Sequence, residues 1–309
     1  MAAGYWYDSV RIWNLAKQQS CYPLEIDAIS RFCVVHRSPY GELFFISISE
    51  NTVKIWELGN TKVPIVEFTT PESIWWRAVA LSPKTDLLVS GTKNGPLIVW
   101  DVRNRHKQHI LTAHTDTIQA VVFSADGKRL ASTSRDGTRI WDVESGEQIG
   151  ILPESPLLDA ALYKGETRDI QRRLEALSKA DMCLCSRLIQ TLSFSPCGTL
   201  VAGGMPEELI LWDATTYEPR LILLLPKGYQ HKSALVFSPC GRYLAYDLVK
   251  EGTRKVLIKV WDLVYSKNVV SFSGNFYSCV SLSFSPDSTL LASSGGEGTI
   301  LLWDMKPYL

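Results

Sequence analysis

His114, Ser132 and Asp136 are the residues in this chain whose types come closest to a catalytic set. A histidine oriented by an aspartate is the usual general base, and a nearby serine hydroxyl is the usual nucleophile. We expect Ser132 to lie inside the protein, away from any substrate. We therefore predict that these residues are structural and that the chain has no catalytic residues.

Cysteine patterns point to no metal site either. Cys183 and Cys185 stand in "CLC", which lacks the second pair or histidine cluster that zinc requires. Cys197 and Cys240 occupy equivalent places in two "SPCG" stretches, and we interpret them as solvent-facing thiols. A phosphate-binding loop, a dinucleotide fingerprint, a nucleophile elbow and a metal-binding histidine pair do not occur. No pattern favours a cysteine–histidine nucleophile pair, and we predict no metal and no cofactor.

Composition describes a soluble globular protein of 309 residues, with 32 basic and 32 acidic side chains. This balance argues against nucleic acid as a partner. The N-terminus does not have the pattern of a signal peptide, and the longest apolar run, Leu221 to Leu225, is far too short to span a membrane. The seven cysteines are therefore expected to be reduced thiols, and the chain is expected to be cytoplasmic.

A short pattern centred on tryptophan recurs along the whole chain, as in "RIWDV" around Trp141 and "KVWDL" around Trp261. Most intervals between successive members are 41 to 49 residues, which suits four short strands per unit. One interval, from Trp141 to Trp212, is 71 residues. The seven members are Trp13, Trp56, Trp100, Trp141, Trp212, Trp261 and Trp303.

A second pattern recurs between the tryptophans and predicts tight turns. Proline at its second position presets φ, and Asp or Gly at later positions tolerates the bend. Apolar segments flank each turn, which predicts a repeated antiparallel hairpin. The turns are "SPYG" at Ser38, "SPKT" at Ser82, "SADG" at Ser124, "SPCG" at Ser195, "SPCG" at Ser238 and "SPDS" at Ser285.

These residues resemble the WD40-repeat family, most clearly in "AHTDTIQAVVFSADGKRLASTSRDGTRIWDV", His114 to Val143. The resemblance covers nearly the whole chain, and the regularity of the units is similar to that of bacterial repeat arrays. It implies an all-β fold, a single domain over residues 1–309 forming a seven-bladed β-propeller. It also implies that His114, Ser132, Asp136 and Trp141 form one hydrogen-bonded set, which is degraded in the other units.

The resemblance further implies that a partner binds on the face formed by the d–a and b–c loops around the central channel. Residues on either side of the strand-a core position are expected to line this face. Trp75 and Arg77 are the strongest anchors, because these residue types dominate binding hot spots. The competing interpretation is that Trp75 only covers the core beside Trp76. The full set of candidates is Arg31, Trp75, Arg77, Thr117, Gln119, Gln190, His231 and Tyr277.

The long interval between Trp141 and Trp212 contains an insertion over residues 154–187, between the fourth and fifth units. Ile170, Leu174 and Leu177 recur at helical spacing, which predicts a helix over residues 168–180. Such a short helix needs support. We expect it to pack on the protein, and a helix that binds a partner and a disordered segment are the alternatives.

The first unit begins late, because seven tryptophan strands accompany only six turns. We predict an incomplete first blade that lacks strand a, with residues 8–14 as strand c and residues 1–6 as a stub of strand b. The seam between the first and last blades is then expected to leave strand edges open to self-association.

Taken together, these features predict a non-enzymatic scaffold that binds a protein or peptide and does not bind a membrane. Two alternatives stay open. One is a small-ligand-binding, hydrolytic or lyase-type propeller that uses the central channel, and the other is a sensor domain separated from a larger signalling protein. Fold alone does not decide between them.

Overall fold

The computed structural model describes the chain in separate segments. The segments are 2–4, 9–14, 19–25, 32–37, 43–49, 51–57, 64–70, 73–153, 163–164, 188–253, 255–274, 279–295 and 299–309.

The described residues form β-strands almost throughout, and the strands group into seven sheets in chain order. The all-β fold class is therefore confirmed. Sheet 1 contains β1 (Ala2–Gly4), β2 (Ser9–Asn14) and β3 (Gln19–Glu25). Sheet 2 contains β4 (Phe32–Arg37), β5 (Leu43–Ser49), β6 (Thr52–Glu57) and β7 (Val66–Thr69). Sheet 3 contains β8 (Ile74–Leu81), β9 (Leu87–Thr92), β10 (Leu97–Asp101) and β11 (His106–Leu111).

The second half of the chain continues this plan. Sheet 4 contains β12 (Ala120–Phe123), β13 (Arg129–Ser134), β14 (Gly137–Asp142) and β15 (Gln148–Leu152). Sheet 5 contains β16 (Tyr163–Lys164), β17 (Thr191–Phe194), β18 (Leu200–Gly204), β19 (Glu208–Asp213) and β20 (Pro219–Leu224). Sheet 6 contains β21 (Tyr229–Gln230), β22 (Leu235–Phe237), β23 (Tyr243–Lys250), β24 (Val256–Asp262) and β25 (Lys267–Gly274). Sheet 7 contains β26 (Cys279–Phe284), β27 (Leu290–Gly295) and β28 (Ile300–Asp304), followed by a 3-10 helix over Lys306–Tyr308.

The predicted turns join the first two long strands of sheets 3 to 7, so the repeated hairpin is confirmed there. Their local chemistry is shared in sheets 4 to 7, because the hydroxyl of the turn serine accepts a backbone N–H five residues later. Ser124 Oγ accepts from Arg129 N at 2.9 Å, and Ser195 Oγ accepts from Leu200 N at 3.0 Å. Gly198, at the fourth position, has a φ of 71°, which glycine adopts without strain.

Both faces of sheet 6 are buried, as the period-two alternation of a strand requires. Leu244, Tyr246 and Leu248 pack with residues of sheet 5. Tyr243 and Ala245 point the other way and pack with residues of sheet 7. A separate core joins sheets 2 and 3, where Phe68 stacks on Trp100 with ring centroids 4.5 Å apart. Apolar side chains between successive sheets therefore hold these strands in place.

By its internal contacts the chain divides into two compact units. Unit 1 comprises Met1–Leu130 with Asp142–Gln148, and unit 2 comprises Ala131–Trp141 with Ile149–Leu309. The seven-bladed ring and the single domain over residues 1–309 stay predictions.

Sheets 1 and 7 have three described strands each. In sheet 1, β1 pairs antiparallel with β2, and β2 pairs antiparallel with β3. In sheet 7, β28 pairs with β27 along one edge, and its Leu302 is 44% exposed. Within the described part of the chain, no strand pairs with the other edge of β28.

Most of the insertion, including the helix predicted over residues 168–180, lies outside the described residues. The part that the structure describes is β16, which pairs parallel with β20 at Ile222 and Leu223. The sequence did not predict this short strand. Just before the insertion, Pro153 O accepts a hydrogen bond from Trp212 Nε1 at 3.0 Å, which fixes the end of β15 to sheet 5.

Candidate functional site

The loops that precede β8 and β12 meet at one residue of unit 1, Lys93, in the turn between β9 and β10. Lys93 N donates to Ser73 O at 3.0 Å, just before β8. Thr117 Oγ1 donates to Lys93 O at 2.7 Å, just before β12. One b–c turn therefore holds two successive d–a loops. Lys93 and Asn94 are exposed there, and neither was among the predicted partner-binding residues.

Two of the candidate residues, Thr117 and Gln119, are held beside this turn. Thr117 N donates to Asp116 Oδ1 at 2.6 Å, and Gln119 Nε2 lies 3.5 Å from Thr117 O. Both side chains are partly exposed, whereas Ile118 between them is fully buried. The alternation expected around the strand-a core position is therefore present here.

Trp75 and Arg77 belong to β8, whose backbone bulges at this point. Ile74 pairs with Thr92 and Val79 pairs with Ser90, so the residues from Trp75 to Ala78 stand opposite a single residue, Gly91. Bulges of this kind redirect side chains and are frequent beside functional sites. The side chains of Trp75 and Arg77 lie outside what the structure describes.

His231 was predicted to be a partner-binding residue, but the structure buries it, and its side chain is 1% exposed. His231 Nε2 lies 2.7 Å from Thr191 Oγ1, and His231 Nδ1 lies 2.9 Å from Asp247 Oδ1. A Cβ added to Gly204 would lie 2.3 Å from His231 Nε2, so this glycine makes room for the ring. The histidine can be buried because both of its ring nitrogens have polar partners.

Asp247 organises the loop that carries His231. Its Oδ1 accepts from Ala234 N at 3.0 Å and from Ser233 N at 3.1 Å. Burial raises the pKa of Asp247, but the charge of His231 and the hydrogen bonds from His231, Ala234 and Ser233 outweigh burial, so the net pKa lies below the ordinary value of an aspartate. Asp247 Oδ2 is buried and has no hydrogen-bond partner among the described residues.

The remaining candidates give less information. Gln190 is partly exposed at the start of β17 in unit 2, and its backbone N–H donates to Gly204 O at 2.8 Å. Arg31 and Tyr277 lie outside the described residues. These three stay predictions.

The tryptophans of the repeat follow one rule in four sheets, where the ring N–H donates to a serine on the neighbouring strand. Trp141 Nε1 donates to Ser132 Oγ at 2.8 Å, which is one contact of the predicted four-residue set. The complete set with His114 and Asp136 stays a prediction. The other pairs are Trp56 with Ser47 at 2.9 Å, Trp100 with Ser90 at 3.0 Å, and Trp303 with Ser293 at 2.9 Å.

Sheet 5 departs from this rule. Gly203 occupies the serine position, because Val201 pairs with Trp212 as Leu88 pairs with Trp100. A Cβ on Gly203 would lie 2.7 Å from the Trp212 ring. The ring therefore fills the space of a serine side chain, and its N–H turns to Pro153 O instead.

Within the described residues, no group of three or more His, Cys, Asp and Glu side chains is arranged to hold a metal ion. The described segments also contain no helix that is long and apolar enough to cross a membrane.

Comparison with known proteins identifies the repeat. The family model described as WD domain, G-beta repeat matches residues 105–142 and 266–304. Each match runs from the last strand of one sheet through the first three strands of the next. The chain carries WD40 repeats. The resemblance drawn from the tryptophan and turn patterns is thus confirmed.

Three proteins with which this WD40-repeat chain shares sequence are all longer than it. It is 28% identical to Periodic tryptophan protein 2 of Arabidopsis thaliana over 73% of this chain and 21% of that protein. It is 26% identical to Transducin-like enhancer protein 2 of Mus musculus over 83% of this chain and 34% of that protein. It is 26% identical to Protein groucho of Drosophila melanogaster over 45% of this chain and 20% of that protein. The matched region thus spans a fifth to a third of the length of these relatives.

Proposed function

We propose that this WD40-repeat chain is a non-enzymatic scaffold that binds a protein or peptide. The observation that carries the proposal is the bulge of β8, where Trp75 to Ala78 stand opposite Gly91 alone. Such a bulge presents extra residues at a sheet edge, and here the sequence supplies a tryptophan and an arginine. The b–c turn at Lys93 joins this segment to the loop of Thr117.

The binding surface that we propose lies wholly in unit 1, and its members are Trp75, Arg77, Lys93, Thr117 and Gln119. Rigid support favours binding, because loops that are already ordered lose less entropy when a partner docks. Here the support comes from backbone hydrogen bonds of Lys93 on both sides. The cationic groups of Arg77 and Lys93 favour a partner with acidic groups beside an apolar anchor.

The test is quantitative affinity capture with the full chain and two variants. We expect Trp75→Ala/Arg77→Ala to lose at least tenfold of the partner that the unmodified chain retains, since removing two hot-spot residues costs more than about 1.4 kcal/mol. The matched control is Ile110→Ala, which truncates a 57% exposed side chain on β11 of the same unit and should retain the partner.

Equal capture by the chain and by Trp75→Ala/Arg77→Ala would overturn the surface. Unfolding midpoints of the variants must match that of the unmodified chain for the comparison to count. Self-association at a seam, a cytoplasmic location and binding at Arg31, Gln190 or Tyr277 are separate predictions that this experiment does not address.

A further inference from the structure

Two cysteines stand where other repeats carry an aspartate, at the third position of the turn between the first two strands. Cys197 and Cys240 are both exposed free thiols. We propose that they are a pair of modification sites, at which thiolates exchange with low-molecular-weight disulfides to form mixed disulfides. This proposal is independent of the binding surface on unit 1.

Aspartate turns show what this position stabilises. Ser124 Oγ donates to Asp126 Oδ1 at 2.5 Å, and Ser285 Oγ donates to Asp287 Oδ1 at 2.5 Å. The hydrogen bond from Ser285, with those from Thr289, lowers the pKa of Asp287 to about 2. The turn therefore directs a serine hydroxyl at whatever anion its third residue carries.

The cysteines receive the same hydroxyl. Cys197 Sγ lies 3.4 Å from Ser195 Oγ and 2.9 Å from Thr199 Oγ1. Those two hydroxyl contacts lower the pKa of the Cys197 thiol, since they stabilise its charged form more than burial opposes it. An exposed cysteine with a lowered pKa is more reactive, because the thiolate is the nucleophile.

Cys240 has a similar environment in the next sheet. Its Sγ lies 3.2 Å from Ser238 Oγ, and its backbone N–H donates to Ser288 Oγ at 3.3 Å. Burial raises the pKa of Cys240. Hydrogen bonds from Ser238, the backbone of Arg242 and Ser288 lower it by more, so the net shift of the pKa is downward.

The two turns lie next to each other in unit 2. A Cβ added to Gly241, which follows Cys240, would lie 4.0 Å from Cδ of Pro196, which precedes Cys197. A third thiol in the same unit provides a contrast. Cys279 is 1% exposed, and burial raises its pKa strongly. The pair is therefore distinguished from a buried cysteine by access and by its donors, both of which favour exchange.

The exchange balances without another oxidant. The Cys197 or Cys240 thiolate attacks one sulfur of a small disulfide, forms a new S–S bond to it and breaks the original S–S bond. The departing thiolate takes up a proton from water. The protein sulfur is oxidised to a mixed disulfide, and the released small thiol is reduced.

The first experiment incubates the native full chain with oxidised glutathione and locates adducts by peptide mass spectrometry. We expect adducts on Cys197 and Cys240, with Cys279 reacting only after denaturation. Failure of both turn cysteines to react while the native fold is intact, or reaction of Cys279 at the same rate, would overturn the proposal.

A second experiment tests the hydroxyl directly with Thr199→Val, which keeps the side-chain shape at an exposed position. Loss of the Thr199 hydroxyl raises the pKa of the Cys197 thiol, and near neutral pH the smaller thiolate fraction outweighs the gain in nucleophilicity. We therefore expect Cys197 to react about two- to fourfold more slowly and to need a higher pH. Cys240 in the same molecule is the control, and an unchanged Cys197 rate and pH profile would contradict the role of Thr199.

Discussion

In sheet 3, Trp100 Nε1 donates to Ser90 Oγ at 3.0 Å, and the residue after that serine is Gly91. In sheet 6, the corresponding residues are Tyr246 and Asp247, because Leu244 pairs with Trp261 as Leu88 pairs with Trp100. Trp261 Nε1 is buried without a hydrogen-bond partner among the described residues.

The difference shows that the two sheets place their polar contacts on opposite faces. In sheet 3 the ring N–H of Trp100 has a hydrogen-bond partner. The residue after that partner, Gly91, is packed so closely that an added Cβ would lie 2.7 Å from Ile118 Cβ. In sheet 6 the ring N–H of Trp261 has no partner among the described residues. The polar contacts are made by Asp247, which accepts hydrogen bonds from the loop before β22. One fold thus tolerates either arrangement, provided that most buried polar groups have partners.

The largest effect is expected from Asp247→Ala. This change leaves the N–H groups of Ser233 and Ala234 and the ring of His231 without their buried acceptor. Each buried donor left without its acceptor costs about 1–3 kcal/mol, so we expect this change to cost at least about 3 kcal/mol. Urea unfolding followed by tryptophan fluorescence should show this loss.

The control for that experiment is Asp304→Ala, which removes an exposed carboxylate that accepts from Lys306 N. We expect it to change the free energy of unfolding by less than about 1 kcal/mol. If Asp247→Ala is no more costly than this control, sheet 6 does not depend on its aspartate.

A smaller effect should separate the two tryptophans. Trp100→Phe and Trp261→Phe remove the same ring volume, but among the described residues only Trp100→Phe breaks a side-chain hydrogen bond. We expect Trp100→Phe to cost about 1 kcal/mol more, since that is the net value of a typical buried hydrogen bond. Urea unfolding of both variants measures the difference.

The matched control is Trp100→Phe in a Ser90→Ala background, where the serine hydroxyl is no longer present. The extra cost of Trp100→Phe should then shrink. If Trp100→Phe and Trp261→Phe lower the free energy of unfolding equally in the unmodified background, the proposed difference between sheets 3 and 6 is contradicted.

The smallest effect is on the pH dependence of the free energy of unfolding, to which the titration of Asp247 contributes only in acid. The pKa of Asp247 is lowered in the folded state, so its ionised form stabilises the fold fully above the unfolded value of about 3.9. That contribution declines as pH falls from about 5 through the unfolded value towards the folded pKa. The stability gap between the unmodified chain and Asp247→Asn should therefore narrow in acid. A gap that stays constant from pH 7 to pH 3 would contradict it.

Much of the fold was predictable because its signals are local. The serine of each turn bonds the backbone five residues later, and the φ preferences of proline and glycine act within the same turn. The tryptophan pattern likewise predicted the third strand of each unit, as at Trp141 and Trp212. The candidate site was less predictable, because a face assigned from strand alternation does not reveal a bulge such as that of β8.

His231 illustrates the limit most clearly. Alternation indicated an exposed position, but its partners Thr191 and Asp247 lie 40 and 16 residues away. The two glycines at the end of β18 are the signal that was missed, because small residues allow a ring to approach the backbone.

The amino-acid sequence by itself determined the repeat, its turns and the all-β class, because strand alternation and turn geometry depend on neighbours within a few residues. Only the tertiary structure decided which polar groups pair. Trp212 Nε1 donates to Pro153 O, 59 residues away, and Trp261 Nε1 has no hydrogen-bond partner among the described residues. Such pairings depend on what long-range packing brings within 3 Å of each donor, and a single substitution such as serine to glycine or tyrosine redirects them.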